Sequence, residues 1–237
     1  MAKKIELNAQ LIKSFASKRK KHAPRIIESR ILVVCEGEKT EPNYFKALKG
    51  SDNGVFVVNL ETAGGGINTI QVVDEAIRLK NNADMAQQPY DAVWVVFDRD
   101  SFSASKFNSA ITKADSHDIQ CAWSNEAFEL WYLLHFEYRN TPMSRKDYSD
   151  AIEQHINNSP LYKKKGRYRY VKNSSEHYYE MKTYGNIETA IKNAERLESL
   201  YSDTRYANHN PRTRVHKLLC QLLGKDEEFN EKIISKL

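Results

Sequence analysis

The sequence predicts an α/β fold, in which an open parallel sheet is flanked by helices and followed by a mostly helical C-terminal part. Residues 92–97 are an apolar run without polar alternation, which is typical of a strand covered on both faces. Further apolar segments at residues 31–35, 55–60 and 119–123 alternate with helical patterns. That order favours parallel strands joined by right-handed crossovers.

The helices between these strands are predicted from local signals. Pro42 suits the first turn of a helix, where its missing N–H costs little. Residues 67–81 carry apolar side chains on one side of a helix, and residues 103–115 are predicted as a more polar helix. Residues 186–201 repeat the one-sided apolar spacing and extend the helical prediction towards the C-terminus.

Two further helices are predicted from their capping residues. Ser124 and Asn125 are typical caps and precede residues 126–136, which are apolar nearly all round and therefore predicted as a buried helix. Asn210 and Pro211 are predicted to cap and open the helix that carries the next apolar stripe.

Composition and charge divide the 237-residue chain into three predicted parts. Residues 1–29 are predicted as a basic arm, residues 30–136 as the α/β core, and residues 137–237 as a helical part with a basic and aromatic segment. Residues 1–30 hold nine of the 36 Lys and Arg residues and two of the 31 Asp and Glu residues, so the rest of the chain carries a net charge of −2. No apolar run approaches a membrane span and no secretory signal is recognisable, so we expect a cytoplasmic protein without membrane contact.

Three carboxylates predict a metal site. Asp98 and Asp100 follow the apolar run and point to one side if the strand geometry continues through them. Glu36 follows an earlier strand, and the carboxyl ends of parallel strands meet at one sheet edge. Hard oxygen donors suit Mg²⁺ or Mn²⁺. The alternatives are that the Asp residues cap the next helix, or that Glu36 is a general acid or base.

Two other acids are candidates for a supporting role beside this site. Glu41 is close to Glu36 in sequence, although a negative charge there also suits the start of a helix. Glu129 lies in the apolar segment after Asn125, and a buried carboxylate must be paired, protonated or bound to a metal.

Residues 161–172 predict a nucleic-acid contact. The segment holds three tyrosines, no acid and six basic residues, which are Lys163, Lys164, Lys165, Arg167, Arg169 and Lys172. Basic side chains follow phosphates, and aromatic rings stack on bases. The alternative is a solvated loop whose tyrosines pack locally.

Four segments resemble the RloB-like family of bacterial abortive-infection proteins, which carry a Toprim domain. They are Val-Cys-Glu-Gly-Glu-Lys-Thr-Glu-Pro-Asn-Tyr-Phe at residues 34–45, Val-Phe-Asp-Arg-Asp at 96–100, Ser-Asn-Glu-Ala-Phe-Glu-Leu-Trp at 124–131, and Asn-Pro-Arg-Thr-Arg-Val at 210–215. The resemblance implies a Toprim-like sheet, a metal site at Glu36, Asp98 and Asp100, nuclease activity in anti-phage defence, and an ATPase partner.

The leading hypothesis is therefore a Mg²⁺-dependent nuclease that cleaves DNA or RNA, with tRNA among the candidate substrates. A second hypothesis is a haloacid-dehalogenase-like phosphatase with Asp98 as the nucleophile, but no convincing acidic pair follows downstream. A third is a non-catalytic subunit of a defence complex that binds nucleic acid or a partner.

Overall fold

The computed structural model describes residues 27–49, 56–64, 68–100 and 102–236, and residues 1–26 of the predicted basic arm lie outside these ranges. Its main sheet has the strand order β2-β1-β3-β4, and each neighbouring pair is parallel. The strands are β1 (Ile27–Cys35), β2 (Phe56–Gly64), β3 (Ala92–Val96) and β4 (Gln120–Cys121). The predicted parallel α/β sheet is confirmed, and β1 begins four residues earlier than expected.

Helices alternate with these strands and then dominate the rest of the described chain. Between the strands lie α1 (Thr40–Lys49), α2 (Thr69–Met85) and α3 (Ala104–Asp115). After them come α4 (Glu129–Leu133), α5 (Arg145–Asn158), α6 (His177–Tyr184), α7 (Ile187–Glu198), a 3₁₀ turn (Tyr206–Asn208), α8 (Val215–Leu222) and α9 (Glu227–Ile234). Within the described ranges, no helix has the length and apolar character that crossing a membrane would require.

Both faces of the central strands are buried, which explains their lack of polar alternation. Successive side chains of a strand point to opposite faces. Val33 and Trp94 therefore belong to one apolar core, which includes α4, α5, α7 and α8, while Val34 and Val95 belong to the other, which includes α2 and α3. All four side chains are fully buried. The sheet is the middle layer between two layers of helices.

The predicted helix over residues 126–136 is wrong in its start and its length. Ser124 and Asn125 form a short strand, β5 (Ser124–Asn125), instead of a helix cap, and α4 is confined to Glu129–Leu133. The physical reason is that both cap candidates bond elsewhere: the Ser124 hydroxyl lies 2.9 Å from that of Thr213, and Asn125 Nδ2 donates to the carbonyl of Ala207 at 3.1 Å.

The predicted start of the last apolar helix is wrong for a related reason. Asn210 and Pro211 do not open it, because β6 (Arg212–Thr213) follows them and pairs antiparallel with β5. α8 begins only at Val215, whose N–H donates to the Thr213 hydroxyl at 3.2 Å. The two segments therefore form a small second sheet.

Candidate active site

Glu36 and Asp98 meet where β1 and β3 end. β1 pairs in register with β3, and the N–H of Glu36 donates to the Val96 carbonyl at 2.9 Å. The Glu36 carboxylate in turn accepts hydrogen bonds from the Asp98 N–H at 3.3 Å and from the Thr69 hydroxyl at 3.4 Å. The structure thus brings together two acids that are 62 residues apart in the chain.

Asp100 reaches the same place by a turn and not by continued strand geometry. β3 ends before Asp98, which keeps one bridge to Ser124. The N–H of Asp100 donates to the Glu126 carbonyl at 3.1 Å, and Asp100 has a φ of 32°. The expected alternation of an extended strand is therefore wrong at this residue, although both Asp side chains line one cavity.

That cavity has a volume of about 430 Å³ and carries charges of both signs. Its acidic lining consists of Glu36, Glu38, Glu41, Asp98, Asp100 and Glu129. Its basic lining consists of Lys39, Arg145 and Lys172. Glu41 and Glu129 are both buried, so the two acids predicted to support the site do lie beside it.

Burial and mutual repulsion perturb these acids. Burial raises the pKa of Glu36 to about 7; the Asp98 N–H opposes this, and the charges of Glu41 and Asp100 add to it. The pKa of Asp98 is raised well above its ordinary value by burial and by the charges of Glu41 and Glu129. Burial likewise raises the pKa of Glu41. Crowded carboxylates in a poorly solvated cavity favour the uptake of a cation.

Arg145 also lines the cavity and contacts its acids, although the sequence did not indicate it. Its Nη2 donates to Asp98 Oδ2 at 3.0 Å, and its Nη1 and Nε lie 3.7 Å from Asp100 Oδ2 and 3.4 Å from Glu129 Oε2. It is the first residue of α5, directly after the cap Ser144. The pairing of Ser144 with Asp147 was a sequence signal for this helix start, but nothing in the sequence linked Arg145 to acids so far away.

Residues 137–182 pack over the site. The Thr40 hydroxyl donates to the Lys172 carbonyl at 2.9 Å, and Asn43 Nδ2 donates to the Asn173 carbonyl at 3.4 Å. The Tyr170 hydroxyl donates to Glu129 at 3.2 Å. This part of the chain therefore forms one wall of the cavity.

The predicted nucleic-acid segment divides into packed rings and exposed charges. Tyr168 donates to Glu180 at 2.7 Å, the ring of Tyr170 stacks on His177 with centroids 4.6 Å apart, and both tyrosines pack against the main core. Lys172 lines the cavity. The other five basic side chains are exposed, and one of them pairs with Glu153; they are Lys163, Lys164, Lys165, Arg167 and Arg169.

The carboxylate oxygens of the cavity are suitable ligands for Mg²⁺ or Mn²⁺, but they do not surround one position as the ligands of a bound ion would. Asp98 is 8% exposed, and its Oδ1 has no hydrogen-bond partner, although the Phe128 N–H lies close enough to the carboxylate to lower its pKa. An unpaired buried carboxylate oxygen is costly unless a cation satisfies it. Among the described residues, however, no three His, Cys, Asp or Glu side chains converge as ligands of one ion. Arg145 instead lies between the acids.

Comparison with known proteins supplies the family. The model of the RloB-like protein family matches residues 31–222, which is most of the chain and includes every acid named above. No curated protein and no solved structure matches the chain. On the strength of the family match, the chain belongs to the RloB-like protein family.

Proposed function

We propose that this protein is a metal-dependent nuclease of the Toprim type, which hydrolyses phosphodiester bonds in DNA or RNA. Membership of the RloB-like family suggests a role in defence. Within that role, we propose that the nuclease acts against phage and works with an ATPase partner. tRNA is among the candidate substrates.

One observation carries the proposal. Glu36 and Asp98 extend from neighbouring parallel strands into one cavity, and Asp98 keeps a buried oxygen without a hydrogen-bond partner there. Asp100 lines the same cavity from the next turn. Carboxylate oxygens are the ligands that divalent cations such as Mg²⁺ prefer, and one of these oxygens has no other partner. The carboxyl end of a parallel sheet is also where α/β proteins bind their ligands, here a substrate that carries phosphate.

The side chains divide into three proposed roles. Asp98 and Asp100 would hold Mg²⁺ or Mn²⁺, with Glu36 either as a third ligand or as the group that accepts a proton from the attacking water. A bound divalent ion would stabilise negative charge on the reacting phosphate and make water a better nucleophile. Lys39 and Lys172 line the cavity and would neutralise the phosphates that flank the scissile bond.

A second candidate function is a non-catalytic subunit that binds nucleic acid or a partner. The observation that favours it is the ion pair between Arg145 and Asp98, which neutralises part of the acidic cluster without a metal. In that case the basic residues exposed in the segment 161–172 would carry the function.

A cleavage assay tests the leading proposal. The purified protein is incubated with single-stranded DNA, double-stranded DNA, total RNA and tRNA in Mg²⁺, Mn²⁺ or EDTA. We expect cutting in the presence of metal and none in EDTA. The double variant Asp98→Asn/Asp100→Asn should lose at least about 100-fold in rate, because it removes both charges that would hold the ion.

The matched control removes two exposed aspartates elsewhere, as Asp115→Asn/Asp118→Asn, and should cut at the normal rate. If the wild-type protein does not cut, the assay is repeated with an ATPase encoded beside it. Cutting that survives the loss of both Asp98 and Asp100, or no cutting even with the ATPase, would overturn the nuclease proposal in favour of the binding subunit.

A further inference from the structure

The guanidinium of Arg145 lines the acidic cavity and faces three of its acids. Its three nitrogens face Asp98, Asp100 and Glu129 at 3.0, 3.7 and 3.4 Å. Only the contact with Asp98 has the length of a good hydrogen bond, and Nε makes no hydrogen bond. The single positive charge of Arg145 is thus shared among three acids and fully neutralises none of them.

The position of Arg145 on its helix is unfavourable apart from these acids. It is the first residue of α5, and the amino end of a helix carries a partial positive charge that disfavours cations. The helix start is satisfied without it, because Ser144 and Asp147 form a reciprocal capping box. The contacts with the acids therefore account for where this side chain points.

The contact between Arg145 and Asp98 Oδ2 and the binding of a metal to that oxygen exclude each other. A divalent ion must approach a carboxylate oxygen to about 2.0–2.6 Å, along directions that the Arg145 N–H now occupies at Asp98 Oδ2. The guanidinium can also leave, because its side chain is 31% exposed and lies at the cavity lining. Asp98 Oδ1 has no hydrogen-bond partner but is buried, so an ion cannot reach it while the surrounding side chains keep this arrangement.

We propose that Arg145 is a built-in competitor of the metal: it holds Asp98 and Asp100 when no divalent ion is bound and must release Asp98 for the ion to bind. This inference rests on the proposed metal site and adds a regulatory element to it. Any ligand that draws Arg145 away from the acids, such as a substrate phosphate, would then promote metal binding.

Direct titration of the metal tests the proposal without relying on activity. Mn²⁺ binding to wild type, Arg145→Gln and Arg145→Lys is measured by electron paramagnetic resonance or calorimetry. We expect Arg145→Gln to bind Mn²⁺ at least about tenfold more tightly than wild type, because removing a cation within a few ångströms relieves strong repulsion. The Mn²⁺ affinity of Arg145→Lys should lie between those of wild type and Arg145→Gln, since lysine keeps the positive charge but lacks the forked N–H groups of the guanidinium.

The control Arg78→Gln removes the same charge from the exposed face of α2, where Arg78 pairs with Glu75, and should leave the Mn²⁺ affinity within about twofold of wild type. Circular dichroism checks that each variant is folded; if Arg145→Gln is not, the lysine variant decides the question alone. Equal or weaker Mn²⁺ binding in the folded Arg145 variants would overturn this inference and leave the metal site standing. No Mn²⁺ binding by wild type or by any Arg145 variant would overturn both.

Discussion

Gly37 lines the cavity between Glu36 and Glu41, and its lack of a side chain leaves room for the Glu41 carboxylate. It follows Glu36 directly, and a Cβ built on it would collide with Oε2 of Glu41 and lie 2.9 Å from its Cδ. Glu41 is 6% exposed and cannot move freely away. The close approach of the turn to this carboxylate therefore favours a glycine, because a larger residue would have to displace the Glu41 side chain.

We predict that Gly37→Ala lowers the free energy of unfolding by about 1–3 kcal/mol, the usual cost of overpacking a tight site. Denaturant unfolding measures the change. The control repeats the substitution in a Glu41→Ala background, where the obstacle is gone and the loss of backbone freedom in the unfolded chain should make alanine neutral or slightly stabilising. The same loss in both backgrounds would show that Glu41 is not the cause.

Single residues show what the sequence can and cannot predict about this site. The convergence of Glu36, Asp98 and Asp100 on one cavity was predictable, because these acids follow apolar strands and a parallel sheet brings such ends to one edge. Arg145 was not, because it lies 47 residues from Asp98 and its contact depends on how α5 packs against the sheet. Local patterns carry no information about such long-range packing.

At the scale of elements, the small β5–β6 sheet supports the turn that carries Asp98 and Asp100. Ser124 pairs with Thr213 on one side and bridges to Asp98 on the other. The sequence suggested a helix cap here, because a Ser-Asn pair before an apolar run is typical of one. The partner strand is 89 residues away along the chain, so no local signal could reveal the pairing.

The hydroxyl pair of Ser124 and Thr213 gives a test of this support. We predict that Thr213→Val costs about 1–3 kcal/mol, because it leaves the buried Ser124 hydroxyl and the Val215 N–H without their partner. The double variant Ser124→Ala/Thr213→Val should cost less than the sum of the two single variants, since both ends of the buried pair are then removed. Chemical unfolding of the four proteins measures the coupling.

Ser116→Ala is the matched control for that cycle. Its hydroxyl is exposed and contacts the Lys113 carbonyl and Nδ1 of the neighbouring His117, so its loss should cost less than about 0.5 kcal/mol. Strictly additive costs for Ser124→Ala and Thr213→Val would mean that the two hydroxyls do not stabilise each other.

At the scale of the whole molecule, the parallel sheet was more predictable than the packing of residues 137–182 against it. β3 and residues 31–35 of β1 are uniformly apolar, so the existence and parallel direction of these strands followed from the sequence pattern. The packing of residues 137–182 over the site did not, because it depends on contacts between distant parts of the chain, such as the hydrogen bond from Thr40 to Lys172 and the burial of Tyr148 and Met181 in the main core. The position of segment 161–172 beside the cavity is therefore visible in the structure but could not be predicted from the sequence.

That placement predicts where nucleic acid binds. Lys164 and Lys165 are exposed, in the same segment whose Lys172 lines the cavity, and the described residues give them no ion-pair partner. Replacing both with glutamine should reduce the slope of log K against log salt concentration by about 1.4 for a single-stranded oligonucleotide, because two phosphate contacts are lost. Fluorescence anisotropy of a labelled oligonucleotide over a salt series measures the slope.

The control for this last prediction is Lys192→Gln/Lys232→Gln, which removes the same net charge from exposed positions on α7 and α9. Its slope should equal that of wild type, because long-range charge alone is screened within about 10 Å at 0.1 M salt. If the two double variants show equal slopes, the segment 161–172 does not contact the phosphates. If the slope falls more for the Lys164/Lys165 variant than for the control, the nucleic acid runs along the cavity wall that segment 161–172 forms beside Asp98.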